Sequence, residues 1–202
     1  MYSDLIAALT SATLPEWAAV ISGIASVWCS RQENIWVYPL GLINTTIYTW
    51  LSIAAHLPGE AVVNFYYTIM SIYGWYCWLQ RNEKNERRLF ISYSSTRFWV
   101  AQLLFFSATY LALYVSLIYL KENFFEGAIP WADALASAAA FTGMWLMTQK
   151  KVESWYWWLL TNVTAIPLYY TKGLALTSIY YLVLTGLALS GLRKWKKLAV
   201  QS

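Results

Sequence analysis

Residues 153–162 read ESWYWWLLTN. On a helix, Trp155, Trp158 and Asn162 stand at i, i+3 and i+7, so two indoles and one amide share a face. Indole faces attract flat or cationic rings, and an amide offers both a donor and an acceptor. The strip therefore suits an aromatic ring bearing a carboxamide or an aminopyrimidine edge. An unpaired amide in hydrocarbon is costly, which points Asn162 toward the interior of a bundle, where a partner or ligand satisfies it. The competing reading makes the tryptophans interfacial belt residues and Asn162 a tie between helices.

Other polar residues fall on apolar segments with helical spacing. Asn64, Tyr67 and Ser71 share one face, as do Ser178, Tyr181 and Thr185, while Asn44 and Tyr48 stand one turn apart with Trp36 two turns before them. Such faces can converge on one site near mid-membrane, although each hydroxyl can instead bond its own helix backbone. The remaining inventory excludes much chemistry. His56 is the single histidine, Cys29 and Cys77 belong to different helices, and no glycine-rich phosphate loop occurs. No metal, cofactor or enzyme activity is indicated. Acidic residues stay at segment edges: Glu33, Glu83, Glu86 and Glu153 toward one side, and Asp4, Glu16, Glu60, Glu122, Glu126 and Asp133 toward the other. No titratable group sits at mid-span to couple a proton.

The elements that must carry these residues are membrane spans. Of the 202 residues, 59% are hydrophobic and 12% charged, and the mean hydropathy is +0.42. A spanning helix needs roughly 20 mostly apolar residues. Seven segments fit, near 15–30, 34–55, 61–80, 97–120, 131–149, 154–171 and 174–193, the first and sixth being short. Met1 to Leu14 lacks the basic start of a signal peptide. With the N-terminus outside, every one of the 14 basic residues except Lys121 and Lys172 falls on the cytoplasmic side. The net charge of +4 is then positive-inside bias and implies no nucleic acid. Both cysteines lie toward that reducing side, which argues against a disulfide.

Internal similarity divides the chain further. The segment from Gly59 answers the one from Gly173, each with a Tyr-Tyr pair at the same distance from the glycine. RQENIWVYPLGLINTT from Arg31 answers KKVESWYWWLLTNVT from Lys150, each ending in an Asn followed two residues on by Thr. The expected fold is an all-α polytopic membrane protein of seven helices, two parallel three-helix repeats joined by a linker helix. Residues 1–80 form the first bundle, 81–130 the loop, linker helix and outer loop, and 131–202 the second bundle with a basic tail.

With this pattern in place, the chain resembles the PnuC-like vitamin transporters, whose halves look like those of the SWEET sugar transporters. The likeness is carried by Trp155-x-x-Trp158-x-x-x-Asn162, Met147 to Glu153, Gly41-Leu42-Ile43-Asn44 and Ile72-Tyr73-Gly74-Trp75-Tyr76. It implies facilitated diffusion of an unphosphorylated B-vitamin across a bacterial inner membrane, followed by trapping by a cytoplasmic kinase, and it hints at a homotrimer. The implied substrate is of the nicotinamide riboside type, with thiamine by the same mechanism, or a sugar or other small solute, as alternatives. At Asn64 the sequence departs from the nicotinamide riboside type, which carries Gln there.

Overall fold

The computed structural model describes residues 13–54, 58–123, 129–171, 173 and 175–199. The first 12 residues, His56, Glu126 and Lys172 lie outside the described residues, and so do the readings that rest on them. Seven helices are described: α1 Leu14–Arg31, α2 Val37–Ala54, α3 Pro58–Leu79, α4 Thr96–Asn123, α5 Pro130–Thr148, α6 Ser154–Thr171 and α7 Ala175–Leu198.

Local chemistry sets the ends. At α1 the Glu16 carboxylate accepts the Thr13 N–H at 2.6 Å, and Pro15 occupies the first turn, where no N–H is missed. The α2 helix begins at Val37 and not at the predicted 34, because the Asn34 side chain turns the chain by accepting the Trp36 N–H at 3.0 Å. At the other extreme α7 continues past the predicted Arg193 to Leu198. Lys196 and Lys197 fill its last turn, where cations complement the helix dipole.

Neighbouring helices close a ring in the order α1, α2, α3, α5, α6, α7 and back to α1, with α4 packed outside against α5. Among the described residues, the Thr96–Leu120 part of α4 is the one segment both long and aliphatic enough to span a membrane by hydropathy alone. Its Val100, Leu103, Leu104, Leu111 and Val115 are exposed. The ring helices carry Trp, Tyr and hydroxyl residues, which lower hydropathy without preventing burial. A second network ties α4 to α6. The Glu153 carboxylate accepts from both Ser94 N and Ser94 Oγ at 2.9 Å, Gln102 Nε2 donates to that hydroxyl at 2.8 Å, and Trp157 Nε1 donates to Gln102 Oε1 at 3.2 Å.

The same contacts recur in the chain at a separation of 117 residues. Both α1 and α5 end in a Schellman motif. Glu33 N and Asn34 N donate to Ser30 O and Cys29 O, and Lys150 N and Lys151 N donate to Met147 O and Leu146 O. Glu33 and Lys150 occupy the left-handed position with φ of 56° and 52°. Trp78 Nε1 donates to Met147 O and Trp195 Nε1 to Ser30 O, both at 3.2 Å. Tyr38 meets Trp78 edge-on at 5.1 Å, as Trp155 meets Trp195 at 5.5 Å. Asn44 Nδ2 donates to Ala19 O at 2.7 Å, and Thr161 Oγ1 to Ala136 O at 3.3 Å.

This register differs from the pairing read off the sequence. Asn44 corresponds to Thr161, and Asn162 to Thr45. The sequence comparison aligned identical letters, whereas the register is set by the two Schellman loops and the helices that leave them.

Candidate functional site

At the end rich in basic residues the ring is filled. Val37, Tyr38, Trp78, Met147, Val152, Trp155, Leu192 and Trp195 form one buried cluster. Ser30 Oγ donates to Met147 Sδ at 3.0 Å, and Lys150 Nζ meets Glu33 Oε1 at 2.6 Å. Trp155 belongs here. It is 1% exposed and pressed against Gly191, where a Cβ would stand 2.5 Å from the indole. Trp36 lies in the turn before α2 with 59% of its surface exposed. Neither tryptophan joins the aromatic groups deeper in the ring.

Those deeper groups come from four helices. Tyr67 on α3 lies 6.1 Å from Trp158 on α6 and 6.2 Å from Phe141 on α5. Tyr66 packs on Phe141 at 4.2 Å, and its hydroxyl donates to the Phe141 carbonyl at 3.1 Å. From α7, Tyr180 and Tyr181 come within electrostatic reach of Tyr67, and Tyr181 stacks on Tyr169 at 5.4 Å. Gly143 makes room for Trp158, since a Cβ there would stand 3.3 Å from the indole.

One turn along α6 from Trp158, Asn162 is 3% exposed. Beside it, Thr161 and Thr164 donate to carbonyls of their own helix. The remaining predicted residues divide. Asn44 donates to Ala19 O, and Tyr48 lies within electrostatic reach of Tyr180. Asn64 accepts from Thr68 Oγ1 through its backbone carbonyl. Ser178 donates to Ile166 O at 2.9 Å, a bond that ties α7 to α6.

Sequence reasoning missed Tyr66, Tyr180, Phe141, Tyr169 and the glycines Gly23 and Gly143. The paired Tyr-Tyr doublets were a signal for Tyr66 and Tyr180. The open groove lined by Leu14, Pro15, Ala18, Thr46, Ile47 and Trp50 is apolar and offers little to orient a solute.

Tyr66, Tyr67, Phe141 and Trp158 thus gather inside the ring, on helices that include the one carrying the buried Asn162, and these are the residue types that a site for a flat solute with polar groups would use. The family model described as nicotinamide mononucleotide transporter matches residues 13–197. The chain belongs to that family. It is a multi-pass membrane transporter. The nicotinamide riboside transporter PnuC of Escherichia coli K12 is 26% identical over 200 residues, covering 89% of this chain and 84% of its own. The riboflavin/roseoflavin transporter RibM of Streptomyces davaonensis is 22% identical over 176 residues, covering 87% and 81%. The crystal structure of the vitamin B3 transporter PnuC superposes with a TM-score of 0.71 at 19% identity, covering 96% of this chain and 86% of that one. The likeness supports the seven-helix fold.

Proposed function

We propose that this transporter carries an unphosphorylated B-vitamin-type solute by facilitated diffusion. Its flat ring is taken by Trp158 and Tyr67 and its amide or amine edge by Asn162. The observation that carries this reading is the burial of the polar Asn162 one turn along α6 from Trp158, whose indole faces Tyr67. The names of the relatives support a vitamin, nicotinamide riboside first and riboflavin second, and thiamine is a further competitor that shares a flat ring. A sugar carrier of the same architecture is the alternative from another class.

Passive transport is supported by the placement of charge. Among the described residues, Asp, Glu, Lys and Arg with described side chains lie in loops or toward helix ends, so none of these charges lies at the middle of α6 beside Asn162. Arg31 at the end of α1, the loops bearing Arg81, Arg87 and Lys150, and the α7 tail favour a cytoplasmic position for the basic end. A phosphate ester finds no Lys or Arg beside Trp158 and Asn162, so a cytoplasmic kinase would trap the solute. The contacts repeated at 117 residues support two halves related by an axis along the membrane normal. Direct binding of nicotinamide riboside, thiamine, riboflavin and a hexose to the purified protein tests the reading. Preference for the hexose overturns it.

A further inference from the structure

At the basic end the two sides of the ring hold each other. Trp78 of α3 donates to Met147 O of α5, Trp195 of α7 donates to Ser30 O of α1, and Lys194 of α7 reaches Gln32 just beyond α1. A transporter that opens to one side of the membrane at a time must part these contacts whenever this end opens. Indoles and hydroxyls exchange such bonds for water at small net cost. Glu33 and Lys150 form the charged contact among them, and Glu33 has two cations in reach. Its Oε1 lies 2.6 Å from Lys150 Nζ and 3.5 Å from Arg87 Nη1.

The two cations are carried by opposite sides. Arg87 stands in a short hairpin that folds back on the end of α3: Asn82 N donates to Glu86 O at 2.9 Å, and Arg88 N to Gln80 O at 3.2 Å. It therefore travels with α3, as Glu33 travels with α1. Lys150 closes α5. The chain changes allegiance a few residues after the hairpin, where Ser92 N donates to Lys150 O at 3.2 Å and Val152 N to Ser92 O at 3.1 Å. Lys150 is buried and its side chain is 3% exposed, whereas that of Arg87 is 58% exposed.

We propose that Arg87 is the opening partner of Glu33: as α5 withdraws from α1, Lys150 leaves and Arg87 keeps the carboxylate paired. With the end closed, Arg87 is attracted by Glu33 and repelled by the neighbouring Lys150 ammonium. With the end open, the attraction remains and the repulsion is gone. A group shifts an equilibrium by the difference between its interactions in the two states, so Arg87 favours the open state. The inference concerns the barrier at this end and holds for any solute that the transporter carries.

The test reads opening directly and needs no solute. In purified protein with Cys29 and Cys77 replaced by alanine, Ser30→Cys places a thiol inside the closed contact, and its rate of modification by a small charged thiol reagent reports how often the end opens. Arg87→Gln is expected to slow modification by about twofold to fivefold, the range of an exposed ion pair, and Arg87→Lys to restore the rate. In a Lys150→Met background the repulsion is absent, and Arg87→Gln is expected to leave the rate unchanged. A merely structural Arg87 predicts the opposite sign, because loss of a stabilising contact exposes the thiol faster. An unchanged or faster rate in Arg87→Gln, or equal slowing with and without Lys150, overturns the proposal.

Discussion

Lys150 Nζ lies 2.6 Å from Glu33 Oε1, and each residue occupies the left-handed position that closes the Schellman motif of its own helix. Glycine usually takes that position, and a residue with a Cβ pays about 1–2 kcal/mol there. The two charged side chains join α1 to α5 beside the Ser30 and Met147 contact. Lys150 is 2% exposed and lies 4.6 Å from the Trp78 ring centroid, while Glu33 also faces Arg87 at 3.5 Å.

Removing one partner of this pair destabilises the basic end. Lys150→Ala is expected to lower unfolding stability by about 2 kcal/mol, less than the loss of a fully buried pair because Arg87 still faces Glu33. Lys150→Met, which keeps the stem over Trp78, is expected to cost less. Thermal unfolding in detergent measures both, and a larger loss for Met than for Ala would contradict the packing assigned to the stem.

The same pair has a pH signature. Burial holds the Lys150 ammonium below its ordinary value of 10.5. Between the depressed folded value and 10.5 the unfolded chain binds more protons, so stability rises with pH through that window. Below the window the contribution is flat. Stability of the unaltered protein relative to Lys150→Met should therefore increase as pH climbs toward 10.5. A fall over the same range would mean that the ion pair raises the lysine value instead.

Two glycines should behave alike. A Cβ at Gly74 would stand 2.4 Å from the Tyr38 ring, and one at Gly191 would stand 2.5 Å from the Trp155 ring. Gly74→Ala and Gly191→Ala are each expected to cost about 1–3 kcal/mol through overpacking. Thermal unfolding of the two variants checks this, and a neutral effect at either one would show that its aromatic neighbour relocates freely.

The seven spans were legible because charged breaks are sharp and apolar runs are long. Trp158 and Asn162 were legible because helical spacing puts an indole and an amide on one strip. Trp155 shares that strip, yet it lies near the helix start, where the Trp195 edge and Gly191 take it into the packed end. Trp36 failed as a helical residue because the Asn34 turn delays α2. The meeting of Asn44 and Tyr180 at Gly23 was illegible, since three helices distant in sequence create it and no spacing along one of them encodes it.

Orientation is open to chemical labelling. In a background with Cys29 and Cys77 replaced by alanine, Lys84→Cys should be protected in intact cells and react after permeabilisation, while Thr13→Cys should react from outside. The reverse pattern would invert the basic end.

Binding at the aromatic site is expected to depend on two side chains. Trp158→Ala and Asn162→Ala should each reduce vitamin affinity by about 1–3 kcal/mol while the protein remains folded, because a stacking face or a buried hydrogen bond is lost. Calorimetry on the purified variants decides the matter. Unchanged affinity in both would return these residues to a structural role.

Flux into proteoliposomes with the membrane potential clamped at zero tests the account most directly. The unaltered protein is expected to equilibrate the vitamin that it binds without concentrating it, to exclude the phosphate ester, and to accumulate label only when a kinase and ATP are enclosed. Uphill accumulation driven by an imposed pH or sodium gradient, or equal passage of the ester, would contradict a passive carrier built around Trp158 and Asn162.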